Sequence, residues 1–320
     1  MARQTMEAWL RDEQGSEVIK RIEYNSVAES LFRSVPMTGT TKTEPRMTDM
    51  SVAVVAKGSA YGEDAGTNDE VLLTAIKFGT VLRIAEEDIN DQLANLIEAK
   101  KQSWASNFGV FLDNAVLGTT AAANGSTVPF TSIYRAITQA DAAVGYTANA
   151  NYQSILAANL GTGLYDALSN LASKVEGSGY GAGNNTFVAH PIFKGLLRNV
   201  KDTTGVPIFA PSPRQGDPDT LFGYPIRWSA GAVTSAAASA TQSATVPTAG
   251  AKGAVGNPLI FFGNPDFALV GKRSGVESVL IDGRDGLSAL TDETILKVRA
   301  RRAFTVAHIK AWAVLEVVFS

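Results

Sequence analysis

The stretch Glu86–Gly118, EEDINDQLANLIEAKKQSWASNFGVFLDNAVLG, decides the fold. Ile89, Leu93, Leu96, Ile97, Trp104, Phe108, Phe111, Leu112 and Val116 recur at the spacing of a helix with an apolar face. Glu86, Glu87 and Asp88 open it, where the positive end of the helix dipole favours anions. Gly118 closes it and can supply a left-handed cap. A helix over 86–117 would run ~48 Å at ~1.5 Å per residue. That exceeds the usual globular helix and predicts a spine along one side of an elongated subunit.

On the N-terminal side, residues 36–84 read as a long two-stranded excursion. Met50, Val52 and Val54 alternate with Ser51 and Ala53, the period of a strand. The connection Lys57–Gly66, KGSAYGEDAG, is too polar and Gly-rich for a core, so it should project. A return strand would place Leu72, Ile76, Phe78, Leu82 and Ile84 on one face. Residues 1–35 carry short apolar steps such as Trp9, Leu10, Ile19, Leu31 and Phe32. They read as an arm with one or two short helices that packs on something else.

On the C-terminal side, Leu160, Leu164, Leu168, Leu171 and Val175 form the stripe of a second helix stopped by Gly177. Thr186–Ala189 is a short buried strand, and Pro191 suits the first position of a helix to Val200. Lys201–Gly205 is a turn. Strands follow at Tyr224–Trp228, Leu259–Phe262, Phe267–Val270, Val276–Ile281, Thr294–Ile309 and Ala311–Phe319. Ser229–Asn257 is Ala/Ser/Thr/Gly-rich with one charge, Lys252, and is expected to be an exposed loop that tolerates insertion, or a weak hairpin.

The 320 residues are 45% hydrophobic and 18% charged, a globular composition with length for two domains or one elaborated domain. Cysteine is absent, which excludes disulfides and thiolate metal sites. No run approaches the ~20 apolar residues of a membrane span, and the charges spaced through MARQTMEAWLRDEQG argue against a signal peptide. A net charge of -3 gives no support for broad electrostatic binding of nucleic acid. The chain is expected to be made and kept in a cytoplasm.

No catalytic, cofactor or metal site is expected. The two histidines, His190 and His308, have no G-x-S-x-G nucleophile elbow to serve and no evident third metal ligand. Gly177–Ala182, GSGYGA, fits G-x-G-x-x-A, but it follows a helix and precedes a strand, the reverse of a dinucleotide site. The acids Glu63, Asp64, Asp69 and Glu70 read as solvated rather than as a calcium site. Lys297, Arg299 and Arg301 share a strand face opposite Leu296, Val298 and Ala300; Arg302 breaks the pattern. That row is expected to meet acids such as Glu86, Glu87 or Asp285 on a neighbouring subunit rather than DNA.

The order of motifs resembles the major capsid proteins of tailed bacteriophages with the Hong Kong 97-type (HK97-like) fold, over nearly the whole chain. FGTVLRIAEEDIND (78–91) looks like that family's strand running into its spine helix, and LDNAVLGT (112–119) like the helix end and following turn. FVAHPIFKGLLRNVKDTTGVPIF (187–209) resembles its strand, proline, short helix and Lys-Asp turn. LFGYPIRW (221–228) resembles its Leu-x-Gly-x-Pro-Val strand, IFFGNPDFALVGKR (260–273) its Phe-Gly-Asp segment, and Val298–Val317 its closing strands. Asn264 stands where an acid is common, and the 229–257 insertion is long.

The resemblance implies an α+β subunit without enzymatic activity. Residues 1–35 would be an N-arm and 36–75 an extended E-loop hairpin. A peripheral P-domain would take 76–135, with the spine helix at 86–117, and the strands and loop of 282–309. An axial A-domain would take 136–281 and the last strand, 310–320. Such subunits form hexamers and pentamers that tile an icosahedral shell around double-stranded DNA held without specific binding. A separate scaffolding protein and a portal are the implied partners, with no membrane; the resemblance leaves open whether a decoration protein joins them. The location is the virion, assembled in the host bacterial cytoplasm. Lys57, Tyr61, Glu63 and Asp64 at the hairpin tip are the expected inter-subunit contacts; Glu86, Glu87, Arg299 and Arg301 are the electrostatic candidates. Some family members join subunits by a Lys-Asn isopeptide bond. Lys57 is placed as donor, but Asp282–Thr294 holds no Asn, so no covalent link is expected. An encapsulin-type compartment shell is the alternative on the same fold.

Overall fold

Leu259–Gly263, LIFFG, is buried at every residue and is the strand on which the larger part of the chain is built. The computed structural model describes residues 24–47, 52–63, 69–85, 87, 96–181, 183–200, 220–240, 256–281 and 293–318. The chain divides into two compact units. One comprises Met1–Tyr24, Phe78–Ser106 and Val276–Ala300; the other comprises Asn25–Lys77, Asn107–Gly275 and Arg301–Ser320. The helices are α1 (Val27–Leu31), α2 (Leu96–Leu117), α3 (Ile133–Thr138), α4 (Leu160–Glu176) and α5 (Phe193–Asn199). The strands are β1 (Arg33–Pro36), β2 (Thr41–Arg46), β3 (Asp69–Thr74), β4 (Ile76–Ala85), β5 (Tyr152–Leu156), β6 (Thr186–Ala189), β7 (Thr220–Leu221), β8 (Tyr224–Trp228), β9 (Leu259–Gly263), β10 (Ala268–Ile281), β11 (Glu293–Val306) and β12 (Trp312–Val318).

In the larger unit six strands lie in the order β5-β12-β9-β6-β8-β7. β9 runs antiparallel to both neighbours, with Phe261 opposite Val314 on one side and Val188 on the other. Side chains alternate across this sheet, as the two-residue period of a strand requires. Phe187, Ile226, Ile260, Phe262, Ala313, Leu315 and Val317 face a cluster with Leu164, Leu168, Leu171 and Val175 of α4 and Phe193 and Leu197 of α5. The intervening Val188, Leu259, Phe261, Trp312 and Val314 are buried as well. A sheet covered on both faces explains why these segments read as continuous apolar runs. The α4 stripe is buried as the spacing predicts, and the 186–189 and 224–228 strands stand where expected. The short helix after Pro191 begins at Phe193; Phe267 ends a short 3-10 helix, and the segments expected at Phe267–Val270 and Val276–Ile281 merge into one strand, β10, from Ala268.

The spine helix ends at Leu117 as its sequence reading has it, but its burial differs. It is described from Leu96, ~33 Å long at ~1.5 Å per residue, while Glu86, Ile89 and Leu93 lie outside the described residues. Over 97–107 it is largely exposed or half-buried; over 108–117 it is buried nearly all round. It is not a single amphipathic stripe. Gly118 ends it without a left-handed backbone, because its role is close approach: a Cβ there would overlap the Val233 carbonyl.

The 229–257 segment is also corrected. Ser229, Ala230, Ala232 and Val233 are buried, and Val233 bridges to Pro258. Gly231 lies against the backbone of Asp113 and Asn114 so closely that a Cβ would collide with both. Small residues serve here as contact surface rather than as a loose loop. Ala236 and Ala237 are exposed, and 241–255 lie outside the described residues.

In the smaller unit β10, β11 and β4 are neighbours in that order. Along 293–300 burial alternates strictly, with Leu296, Val298 and Ala300 inward and Lys297 and Arg299 outward. Trp104 of α2 donates its indole N–H to Thr80 Oγ1 at 3.2 Å.

Candidate assembly surface

β2 and β3 form a two-stranded ribbon of their own, paired from Thr41↔Thr74 to Arg46↔Asp69. The expected strand at Met50–Val54 is absent where described: 52–56 pair with nothing, and Met50 lies outside the described residues. The ribbon's first strand is Thr41–Arg46, a polar TKTEPR that carries no apolar alternation to read. Leu72, read on one face with Ile76 and Ile84, is 55% exposed, while Leu73 is fully buried and Ile84 is buried. The strand breaks at Ala75, which separates the two alternations.

Beyond the ribbon the chain presents large apolar side chains to solvent. Met47 is 76% exposed, Val52 98%, Val54 102% and Tyr61 86%. Gly58, with φ 85°, closes a turn in which the Ser59 amide donates to the Ala56 carbonyl at 3.0 Å. Left-handed backbone at the third residue of a four-residue turn is a glycine position. Lys57 therefore sits at the turn's second residue; Lys57 and Glu63 are exposed, and Asp64 lies outside the described residues. On β10, Val276, Val279 and Leu280 are also exposed.

Of the electrostatic candidates, Glu87 is exposed and Arg301 half-buried, and Glu86 lies outside the described residues. Arg299 has a partner in its own chain, Glu277 Oε2 at 2.8 Å. The two stand on adjacent strands 22 residues apart, a pairing visible only once the register is known. Both are over 40% exposed, so the pair is of the weak surface kind. Arg302, which interrupts the row, is buried: it pairs with Glu29, donates to the Ser274 carbonyl and lies over the Phe108 ring at 5.8 Å.

Three polar centres escaped sequence reasoning. Asp113 is fully buried in α2 and accepts from Ser26 Oγ at 2.5 Å, the Val27 and Ala28 amides at 3.0 Å and Ser229 Oγ at 2.8 Å. Its neighbour Asn114 donates to the Gly231 and Val233 carbonyls at 3.0 and 2.9 Å. Together they fasten the arm's end and the 229–235 segment to the helix. Glu316 of β12 accepts from the Tyr134 and Tyr152 hydroxyls at 2.8 Å and from Asn257 Nδ2 at 2.5 Å. Arg46 ends the ribbon, pairing with Asp69 across it and with Asp141 Oδ2 at 3.2 Å. That guanidinium holds the Asp69 carboxyl below the usual carboxylate range. The signal available for Asp113 and Glu316 was a lone acid inside an apolar run.

Burial first, and the Glu316 charge second, push the Tyr152 hydroxyl up to about 12; Tyr134 is raised too, by burial and then by its hydrogen bond to Glu316. Below pH ~10, the ordinary tyrosine value, both folded and unfolded chains keep these protons. Above it the unfolded chain loses them first, so stability falls from pH ~10 to ~12. Urea midpoints at pH 9, 10 and 11 should fall accordingly, and Glu316→Gln should flatten the decline.

His190 is buried, with Nδ1 accepting from the Ile192 amide at 3.2 Å, and His308 stacks on Tyr180 at 3.8 Å. Among the described residues no three His, Asp or Glu side chains gather as a metal site, and no helix is long and apolar enough to cross a membrane.

The fold is that of a Hong Kong 97-type capsid shell protein. The chain belongs to the phage capsid family, whose model matches residues 9–317; it is a major capsid protein, a structural component of a bacteriophage virion. A chain from Mycobacterium phage Ogopogo is similar with a TM-score of 0.73 at 16% identity, covering 99% of this chain and 100% of that one. One from the capsid of an empty GTA particle gives 0.70 at 18%, covering 98% and 97%. One from Microbacterium phage Oxtober96 gives 0.68 at 18%, covering 98% and 97%. No curated protein matches the chain. The family match does not favour the encapsulin alternative.

Proposed function

We propose that this capsid protein assembles through hexamers and pentamers into the icosahedral head shell that encloses the phage genome, and that the ribbon and its tip are the contact each copy extends to a neighbour. The observation that carries this reading is the exposure of Met47, Val52, Val54 and Tyr61 beyond the ribbon. Apolar side chains gathered on a projecting segment mark a surface that meets protein. The segment makes no core contact that could explain its composition: 52–54 and 56–63 are exposed.

The proposed division is an N-arm to about residue 35, an E-loop at 36–75, a P-domain at 76–135 and 282–309, and an A-domain at 136–281 with 310–320. Lys57, Tyr61, Glu63 and Asp64 act at the tip, with Glu86, Glu87, Arg299 and Arg301 as electrostatic contacts. Assembly takes place in the host cytoplasm with a separate scaffolding protein and a portal, around DNA that is contained rather than specifically bound.

Deleting Lys57–Gly66 should leave the subunit folded, with unchanged circular dichroism, and reduce closed shells at least tenfold by electron microscopy. The milder pair Val54→Ser with Tyr61→Ser should have the same direction of effect. Shells in normal yield from both variants would remove the ribbon tip from the interface.

A further inference from the structure

The ribbon is held to the rest of its unit at two places of different character. Near its start, Leu73 is fully buried among Val35, Met37, Leu269 and Ala303, and the Ala75 amide donates to the Thr40 carbonyl at 2.8 Å. Leu73 pairs with Lys42, four residues before Arg46, so Arg46 lies ~13 Å farther out at ~3.3 Å per residue. There the attachment is polar. Arg46 Nη1 donates to Asp141 Oδ2 and to the Ala307 carbonyl, each at 3.2 Å.

Between these points the ribbon does not lie flush. A cleft of about 330 Å³ opens there, lined by Val71 and Leu72 of the ribbon and by Ala136, Gln139, Thr305 and Ile309 opposite. A two-stranded ribbon has little stability or stiffness of its own. One apolar anchor at its root fixes its position but leaves its angle free; a second anchor ~13 Å out fixes the angle.

The acceptors are suited to that task. Asp141 caps the short helix Ala142–Val144, its Oδ1 accepting from the Ala143 amide at 3.1 Å, which leaves Oδ2 aimed at Arg46. Ala307 is itself fixed, its amide donating to the Phe267 carbonyl at 2.8 Å. A guanidinium presents its donors in a rigid fork, so it can bridge Asp69 on the ribbon and Asp141 off it at once. Among the described residues Arg46 Nε has no hydrogen-bond partner, so the hold on this side chain runs through its two terminal nitrogens.

We infer that Arg46 and Asp141 form a latch that sets the direction in which the ribbon leaves the subunit, and so where its tip meets the next copy. Arg46 is a positioning residue for assembly and makes no contact with the neighbour itself. The inference rests on the ribbon tip being an inter-subunit contact.

Two variants separate the latch from ordinary ribbon stability. Asp141→Asn keeps the Oδ1 cap but removes the charge that ties the ribbon down. Asp69→Asn removes a carboxylate from the same guanidinium but leaves that tie in place. In isolated subunits, Asp141→Asn should raise hydrogen exchange of the 41–46 and 69–74 amides at least fivefold, with α4 and β12 unchanged. Its closed-shell yield should fall at least fivefold, Asp141→Glu should restore it, and Asp69→Asn should stay within twofold of the parent. Equal losses from the two Asn variants, exchange rising throughout Asp141→Asn, or normal shells from it would overturn the latch. If the tip deletion abolishes shells while Asp141→Asn assembles normally, only the latch fails; if the tip deletion assembles normally, the interface reading fails first.

Discussion

Replacing Asp113 with alanine is expected to remove about 3–5 kcal/mol of stability from the subunit. The carboxylate is fully buried, and four donors converge on it from two distant parts of the chain. Alanine leaves the Val27 and Ala28 amides without their acceptor where water does not reach, and each such group costs roughly 1–3 kcal/mol. It also releases Ser229 from the helix. Asp113→Asn keeps one acceptor oxygen and should lose less, about 2 kcal/mol. Urea unfolding of dissociated subunits measures both. A loss under about 1 kcal/mol for the alanine variant would mean that the arm and the 229–235 segment are held by other contacts.

Alanine at Gly118 or Gly231 is expected to cost about 2–3 kcal/mol each, with a correspondingly lower melting temperature. In both places the obstacle is backbone: the Val233 carbonyl at Gly118, and the Asp113–Asn114 main chain at Gly231. Backbone cannot swing aside as the end of a flexible side chain can, so the helix and the segment packed on it must part. Gly195 is the control. It lies inside α5 with nothing within 4 Å of an added Cβ. Gly195→Ala should therefore stabilise by roughly 0.5–1 kcal/mol, the usual gain of alanine over glycine in a helix. Equal losses at all three positions would show that close approach is not what Gly118 and Gly231 provide.

Those glycines show where sequence reading succeeds and where it stops. The α4 stripe, the 186–189 strand and the alternation of 293–300 were legible because each buries one face or both against a continuous layer, and burial imprints a period. The 229–235 segment was misread because its packing depends on the absence of side chains. Ala, Ser and Gly give the same low-complexity signal whether they are solvated or pressed against a helix. The second half of α2 was read as helix, but its burial was not legible, since burial on all sides leaves no stripe. The ribbon's first strand was displaced from Thr41–Arg46 to Met50–Val54 because pairing rather than burial makes it a strand. The exposed, unpaired segment that follows it, described at 52–54, happened to alternate.

The proposed assembly surface was legible only in outline. A polar, Gly-rich connection marks an exposed segment, and Lys57, Tyr61 and Glu63 are exposed. The proposed latch, Arg46 with Asp141, joins residues 95 apart in sequence. No local pattern encodes such a pair. The same holds for Arg299, whose intrachain partner Glu277 becomes visible only when β10 and β11 are side by side.

Electron microscopy of the purified full-length chain tests the central claim most directly. The expected image is of six- and five-membered capsomeres or of shells without a uniform size, growing in number with protein concentration. A chain that stays a monodisperse monomer or small oligomer at high concentration, with sedimentation unchanged across salt conditions, would contradict the account.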